Sequence, residues 1–367
     1  MAANGTLIGE QGYDRAEEVK QFDDSKLGVK GLVDSGLSSI PRIFIHPPET
    51  LQQLQPTTRP DAQSIPTIDL SDLHHSDRRS AIVDQVGGAC RNFGFFQITN
   101  HGIPTVVLDR TIAAVKAFHE QPTEVKARFY RREMGQGVSY LSNVDLYTSK
   151  AASWRDTLQV RLGPVPAADD EVPEICRDEI VAWNKEIQRL GEELLGLVSE
   201  GLGLRAEKLK EMTCLEGRVM AAHYYPPCPQ PDLTVGLTSH SDPGVLTLVL
   251  QDQIGGLQVK HDEGWVDVKP VPGALVINVG DLLQIISNEE YKSVDHRVLA
   301  NPSHEPRVSI AVFFNPSNRE GVFGPLPELV SPEKPALYKE FKFSEFMTRF
   351  FTKGLDGKTL VNYYKLQ

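Results

Sequence analysis

Apolar residues change their spacing along the chain near Gly217. Before that point, three stretches carry them at three- and four-residue steps, the repeat of a helix with one buried face. The first covers residues 76–92. Pro104 opens the second at a favourable first-turn position, and "TVVLDRTIAAVKAFHEQ" continues it. The third covers residues 178–204, with Ile180, Trp183, Ile187, Leu190, Leu194 and Leu197 on one stripe. "IPTIDLSDL" and "GFFQITNHGI" read as short β segments, the second turning at Asn100-His101-Gly102. Residues 38–66 hold much of the early proline and predict an extended strap rather than a helix. The tail, from "ALYKEFKFSEFMTRFF" onward, returns to helical spacing. Its Phe346 and Phe350 suit either plain packing or a lid.

After Gly217 the runs become short and strand-like: "RVMAAHYY", "VGLTSH", "VLTLVLQD", "GLQVKH", "GWVDVK", "ALVINVG", "DLLQIIS", "KSVDHRVL" and "RVSIAVFF". Turn signals separate them. Many short strands at regular spacing predict a sandwich or barrel. The expectation is therefore a mixed, helix-rich first half carrying an all-β second half.

Composition narrows the partners. The 367 residues suffice for one large core or two medium ones. Forty-nine acidic residues against 38 basic ones argue against nucleic acid or an anionic membrane as partner. No apolar run of about 18 residues predicts a membrane span. Cys90, Cys176, Cys214 and Cys228 lie far apart without a C-x-x-C pair, which suits buried thiols in a reducing compartment. The N-terminal residues carry acids and no apolar segment of the kind a signal peptide needs. A cytoplasmic, monomeric protein is expected.

The chemistry sits inside the β half. His240 and Asp242 stand two residues apart in "LTSHSDPGVLTLVLQD", so on an extended chain they project to one side. Alone, such a pair is most simply a hydrogen-bonded turn before Pro243-Gly244. His296, in a separate strand-like run, changes that. Two histidines and one carboxylate on one face of a metal are the ligand set of non-haem Fe(II) oxygenases, and zinc with a hydrolytic role is the alternative. Arg307 and Ser309 repeat the two-residue spacing in "RVSIAVFF". A guanidinium on an inner strand face needs an anion, and with a hydroxyl beside it makes a bidentate clamp for a carboxylate. A surface salt bridge is the plainer reading of Arg307 alone. Together with the metal set, the clamp points to an organic-acid co-substrate that chelates the iron.

His240-Ser-Asp242, His296, Arg307-Val-Ser309 and "HYYPPCPQP", with "GFFQITNHGI", "ASWRDTL" and "QDQIGGLQV", closely resemble plant Fe(II)- and 2-oxoglutarate-dependent dioxygenases. The opening "FDDSKLGVKGLVDSGLSSIPRIFIHPP" resembles the branch of aminocyclopropanecarboxylate oxidase homologues, which is also similar to deacetoxyvindoline hydroxylase. The resemblance implies a distorted double-stranded β-helix, or jelly roll, buttressed by helices. It implies a division into an N-terminal extension and strap (1–64), an N-terminal dioxygenase region (65–165), a long-helix linking region (166–215), the jelly-roll core (216–317) and a helical tail or lid (318–367). It further implies that His240, Asp242 and His296 bind Fe(II), and that Arg307, Ser309 and Tyr225 hold 2-oxoglutarate. O2 is the second co-substrate, and ascorbate is expected as reductant. The motif before Tyr225 usually begins with Asn; here it is His223, whose role is left open between the metal's surroundings and packing. Phe313, on the same strand face as Ser309, matches a pocket position, and Tyr140, Asn143, Leu146 and Leu158 are candidate pocket walls. Tyr147, Trp154 and Arg155 read as structural. The expected activity is hydroxylation or oxidative demethylation of a small plant specialised metabolite, with release of succinate and CO2. An ascorbate-using ethylene-forming oxidase and a non-catalytic binding protein on the same fold are the competing readings.

Overall fold

A computed structural model describes residues 13–54, 64–133, 137–262, 264–353 and 359–366. The helices fall where apolar spacing placed them: Ser76–Asn92, Thr105–His119 and the 25-residue Arg177–Gly201. In the last of these, all six predicted stripe residues are at most 2% exposed, because they pack on one side of a β-sheet.

The strands are β1 (Thr67–Asp69), β2 (Phe95–Thr99), β3 (Val138–Leu141), β4 (Asp156–Arg161), β5 (Val219–Tyr225), β6 (Val235–His240), β7 (Leu246–Gln251), β8 (Leu257–His261), β9 (Gly264–Asp267), β10 (Leu275–Val279), β11 (His296–Leu299) and β12 (Arg307–Phe314). They form an eight-stranded sheet, ordered β1-β2-β10-β7-β12-β5-β4-β3, and a four-stranded sheet, ordered β6-β11-β8-β9. All pairings are antiparallel except β1 with β2. Tyr225, Leu237, Leu257, Val259, Val276 and Val298 pack together, joining the two sheets as a closed sandwich. Helices cover the outer face of the larger sheet.

Two expectations change. "DLLQIIS" is not a strand but the helix Asp281–Ile286; Leu282, Leu283, Ile285 and Ile286 have helical spacing, and all are fully buried. The proline-rich strap holds a short helix, Pro48–Gln52, opened by Pro48, which suits a first turn; residues 55–63 of it lie outside the described residues. The N-terminal extension forms two helices, Arg15–Ser25 and Gly28–Asp34. The second docks on β4: the Asp156 carboxylate accepts from the Val29 and Lys30 backbone N–H groups, each at 2.8 Å, at the helix start.

Candidate metal centre and its pocket

His240 ends β6 and His296 begins β11, and these two residues face each other across the ladder. Their ring centroids are 4.2 Å apart. Asp242 follows in the turn that leads into β7. Its Oδ1 lies 3.5 Å from His240 Nε2 and 3.7 Å from His296 Nε2. One ligand atom from each residue therefore falls within 4.8 Å of the others, and all three side chains are buried.

Neighbouring groups fix this geometry. Asp242 Oδ2 accepts from Thr247 Oγ1 at 2.6 Å and from Asn278 Nδ2 at 2.8 Å, which turns Oδ1 toward the imidazoles. His240 Nδ1 donates to the Thr238 carbonyl at 2.9 Å, so the lone pair sits on Nε2. Burial alone would raise the Asp242 carboxyl. In the metal-free site, protonated His296 and His240, with the hydrogen bonds from His240 and Thr247, would override it and hold the group below the usual carboxylate range. The turn itself is clamped from beneath. The Asp281 N–H donates to the Asp242 carbonyl at 2.7 Å, and the Asp281 carboxylate accepts from Ser241 and Ser293. Gly280 allows this approach: a Cβ there would lie 2.1 Å from the Gly244 carbonyl oxygen. Thr247, Asn278 and Asp281 escaped the sequence reading. A buried Asn inside the apolar run "ALVINVG" was their one legible signal.

A row of polar residues crosses the inner face of the larger sheet beside this cluster. Thr157, His223, Ser309 and Gln251 are successive ladder partners on β4, β5, β12 and β7. Arg307 lies two pairs further along, opposite Tyr225, and is 2% exposed. Its Nη1 donates to Ser309 Oγ at 3.0 Å and its Nη2 to Gln251 Oε1 at 2.9 Å, while the Tyr225 ring lies 4.9 Å from the guanidinium. Arg307 Nε and Gln251 Nε2 are buried without an acceptor. Two such donors side by side suit a carboxylate.

His223 Nδ1 accepts from Arg155 Nη1 at 3.1 Å and lies 3.0 Å from Thr157 Oγ1. Burial, then the nearby Arg155 and Arg307 charges, push this imidazole well below its ordinary value, so it is neutral with its proton on Nε2.

A cavity of about 170 Å³ opens over His240 and Asp242. Leu141, Phe313, Met347 and Phe350 supply its apolar wall, and Arg155, Thr157 and His223 its polar one. A larger groove of about 900 Å³ is lined by Arg307, Pro48, Leu51 and Lys269 among others. It touches none of His240, Asp242 and His296, whereas the smaller cavity is lined by the first two.

Phe313 lines this cavity; the other four expected wall residues do not. Tyr140 and Leu158 are ladder partners on the opposite sheet face, packed in the helix-side core. Strand alternation gives the cavity their neighbours Leu141, Thr157 and Gln159 instead. Leu146 packs with Trp154 and the N-terminal extension, and Asn143 bonds the Ser153 backbone through both ends of its amide. Arg155, expected to be structural, points into the cavity. The single-residue shift exists because the sequence does not say which strand face looks inward.

Two family patterns match the chain. The 2OG-Fe(II) oxygenase superfamily covers residues 216–316, and the N-terminal region of non-haem dioxygenases in morphine synthesis covers 65–179. An Arabidopsis thaliana protein named 1-aminocyclopropane-1-carboxylate oxidase homolog 1 is 48% identical over 356 residues, 96% of this chain and 97% of that one. The chain belongs to the 2OG-Fe(II) oxygenase superfamily. A solved structure of JOX2 in complex with 2OG, Fe and JA aligns with a TM-score of 0.82 and 33% identity, over 93% of this chain and 98% of that one. The rice dioxygenase for auxin oxidation aligns with a TM-score of 0.71 and 26% identity, over 83% of this chain and all (100%) of that one. The two sheets are thus the double-stranded β-helix of these oxygenases. The protein is an oxidoreductase of the dioxygenase class, and its family uses Fe(II), 2-oxoglutarate and O2, typically with ascorbate.

Proposed function

We propose that the protein is an Fe(II)- and 2-oxoglutarate-dependent dioxygenase that hydroxylates, or oxidatively demethylates, a small plant specialised metabolite. The observation that carries this reading is the meeting of His240, His296 and the Asp242 Oδ1 beside a buried Arg307 with spare donors. The donor set, two imidazole nitrogens and one carboxylate oxygen, fits Fe(II) with open positions. Once bound, Fe(II) with 2-oxoglutarate and O2 supplies an oxidation that ends in succinate, CO2 and one oxygen atom placed at a C–H bond.

The chain's own groups prepare that event. Asp242 stays ionised, and its Thr247 and Asn278 bonds keep its free oxygen aimed at the metal. Arg307 and Ser309 hold the distal carboxylate of 2-oxoglutarate, with the Tyr225 ring against the guanidinium. Phe313, Met347 and Phe350 keep water from the reacting end and set one C–H bond at the open position. Relatives of known structure support a small-molecule substrate, since their names mention JA and auxin. The same reading has a monomeric cytoplasmic enzyme without nucleic-acid or membrane partners. Its support is the acidic balance and the finding that no helix among the described residues is long and apolar enough to cross a membrane.

The test is to incubate the protein with Fe(II), 2-oxoglutarate and a plant extract. Succinate should form, with small molecules that gain one oxygen or lose a methylene unit. The names of the Arabidopsis relatives favour a second reading, an ascorbate-using oxidase. Full turnover with ascorbate and no 2-oxoglutarate would establish that reading and remove the first.

A further inference from the structure

Four arginines of the described chain are at least nine-tenths buried: Arg155, Arg218, Arg297 and Arg307. Three make two or more polar or ring contacts each. Arg218 reaches Asn184, Gln188 and the Leu162 and Leu215 carbonyls. Arg297 bonds Gln258 and lies over the Trp265 ring. Arg307 has Ser309, Gln251 and Tyr225. Arg155 differs. It is 5% exposed, its side chain bonds only the neutral His223 nitrogen, and its Nε, like that of Arg307, has no acceptor. No carboxylate among the described residues lies within ion-pair distance of it. Its sequence neighbour Asp156 points through the other sheet face to the N-terminal extension.

The charge balance around the cavity makes this isolation informative. Among the residues lining it, Asp242 is the one acid, and both of its oxygens are engaged. In the dioxygenase reading, on which this inference rests, the ferrous ion and Arg307 are offset by Asp242 and the dianionic 2-oxoglutarate. Arg155 then remains as an uncompensated buried cation, which is costly unless a ligand brings an anion. The His223 proton on Nε2 adds a second donor beside it. Leu141, Val144, Phe313, Met347 and Phe350 supply the apolar wall, and Gln159 and Asn315 add uncharged polar groups.

We infer that the organic substrate is a small carboxylic acid whose carboxylate docks on Arg155 and His223, with its apolar body against Phe313 and Met347. Arg155 is thus the specificity-determining residue for an acidic substrate, distinct from the co-substrate clamp at Arg307. This anchoring would fix which carbon faces the metal.

The test uses the full-length protein loaded anaerobically with Fe(II) and 2-oxoglutarate. Phenylacetate, cinnamate and hexanoate are each titrated against their own primary amides by calorimetry. At least one acid should bind roughly 10–100-fold more tightly than its amide, the range of a charge-assisted hydrogen bond pair. Arg155→Met should abolish that preference and leave the 2-oxoglutarate Kd within about twofold, since the charge-assisted pairing at Arg307 is untouched. Arg155→Lys should restore part of the preference. If no acid in the panel surpasses its amide on the wild-type protein, the inference falls. It also falls if Arg155→Met weakens 2-oxoglutarate instead, because Arg155 would then serve the co-substrate. Failure of the parent reading looks different: the wild-type protein would not bind 2-oxoglutarate in the loading step.

Discussion

Strand β12 displays both faces of the larger sheet within eight residues. Val308, Ile310, Val312 and Phe314 point out to the helices and are at most 1% exposed. Arg307, Ser309 and Phe313 lie on the inner face, where Phe313 lines the cavity and Arg307 and Ser309 are buried nearly as deeply. Depth therefore does not separate structure from function along this strand; completeness of partners does. The outer-face residues of β12 meet matching apolar neighbours, and their contribution is complete in the folded protein alone. Inner-face groups leave buried donors and acceptors open at Arg307, Gln251, Arg155 and Asn315. Such groups disfavour the fold unless a bound ligand or water satisfies them.

This contrast can be broken from either side. The largest effect expected is from Asp242→Ala, which removes the shared ligand oxygen: 2-oxoglutarate-dependent succinate formation should vanish while circular dichroism remains native. Retained turnover would refute the metal assignment. Trp183→Ala should do the opposite, costing about 3–5 kcal/mol of stability because it empties the outer core, with activity of the surviving folded fraction preserved. Denaturant melts with and without ligands would show it. Arg307→Lys loses the planar fork and should raise the 2-oxoglutarate Kd roughly 10–100-fold with little change in melting temperature. Asn278→Ala should weaken Fe(II) about tenfold by freeing the second Asp242 oxygen, read by metal titration rather than turnover.

The smallest expected effect is a pH slope on the outer face. His119 is wholly buried, stacked on Tyr224, and burial followed by the Lys126 charge pushes it down to about 3 from its ordinary 6.5. Folded, it stays neutral above about 3; unfolded, it binds a proton below 6.5. The unfolded chain then holds the extra proton, so stability falls as pH drops through this window, by about 1.4 kcal/mol per pH unit at most. His119→Gln should flatten that part of the stability–pH curve. An unchanged slope would place the titration elsewhere.

Much of this arrangement was legible beforehand, and the gaps have a common cause. The helix stripes at 76–92 and 177–201 could be read because a 3.6-residue repeat names its own buried side. The spacings of His240 with Asp242 and of Arg307 with Ser309 could be read because an alternating strand puts such residues on one face. Which face looks inward is set by the partner strand, so Tyr140 and Leu158 were assigned to the cavity and Leu141, Thr157 and Arg155 were not. "DLLQIIS" was misassigned because a short apolar run fits a strand or a helix equally well until its surroundings are known.

The sequence by itself determined the kinds of group available: two imidazoles, a carboxylate, a guanidinium with a hydroxyl, and the periodicities that bury them. Only the tertiary structure decided that Asn278 and Thr247 orient Asp242, that Asp281 anchors its turn, and that Arg155 stands at the cavity without an anion. The physical reason is that periodicity is local, whereas hydrogen-bond and charge satisfaction depend on groups brought together from distant parts of the chain.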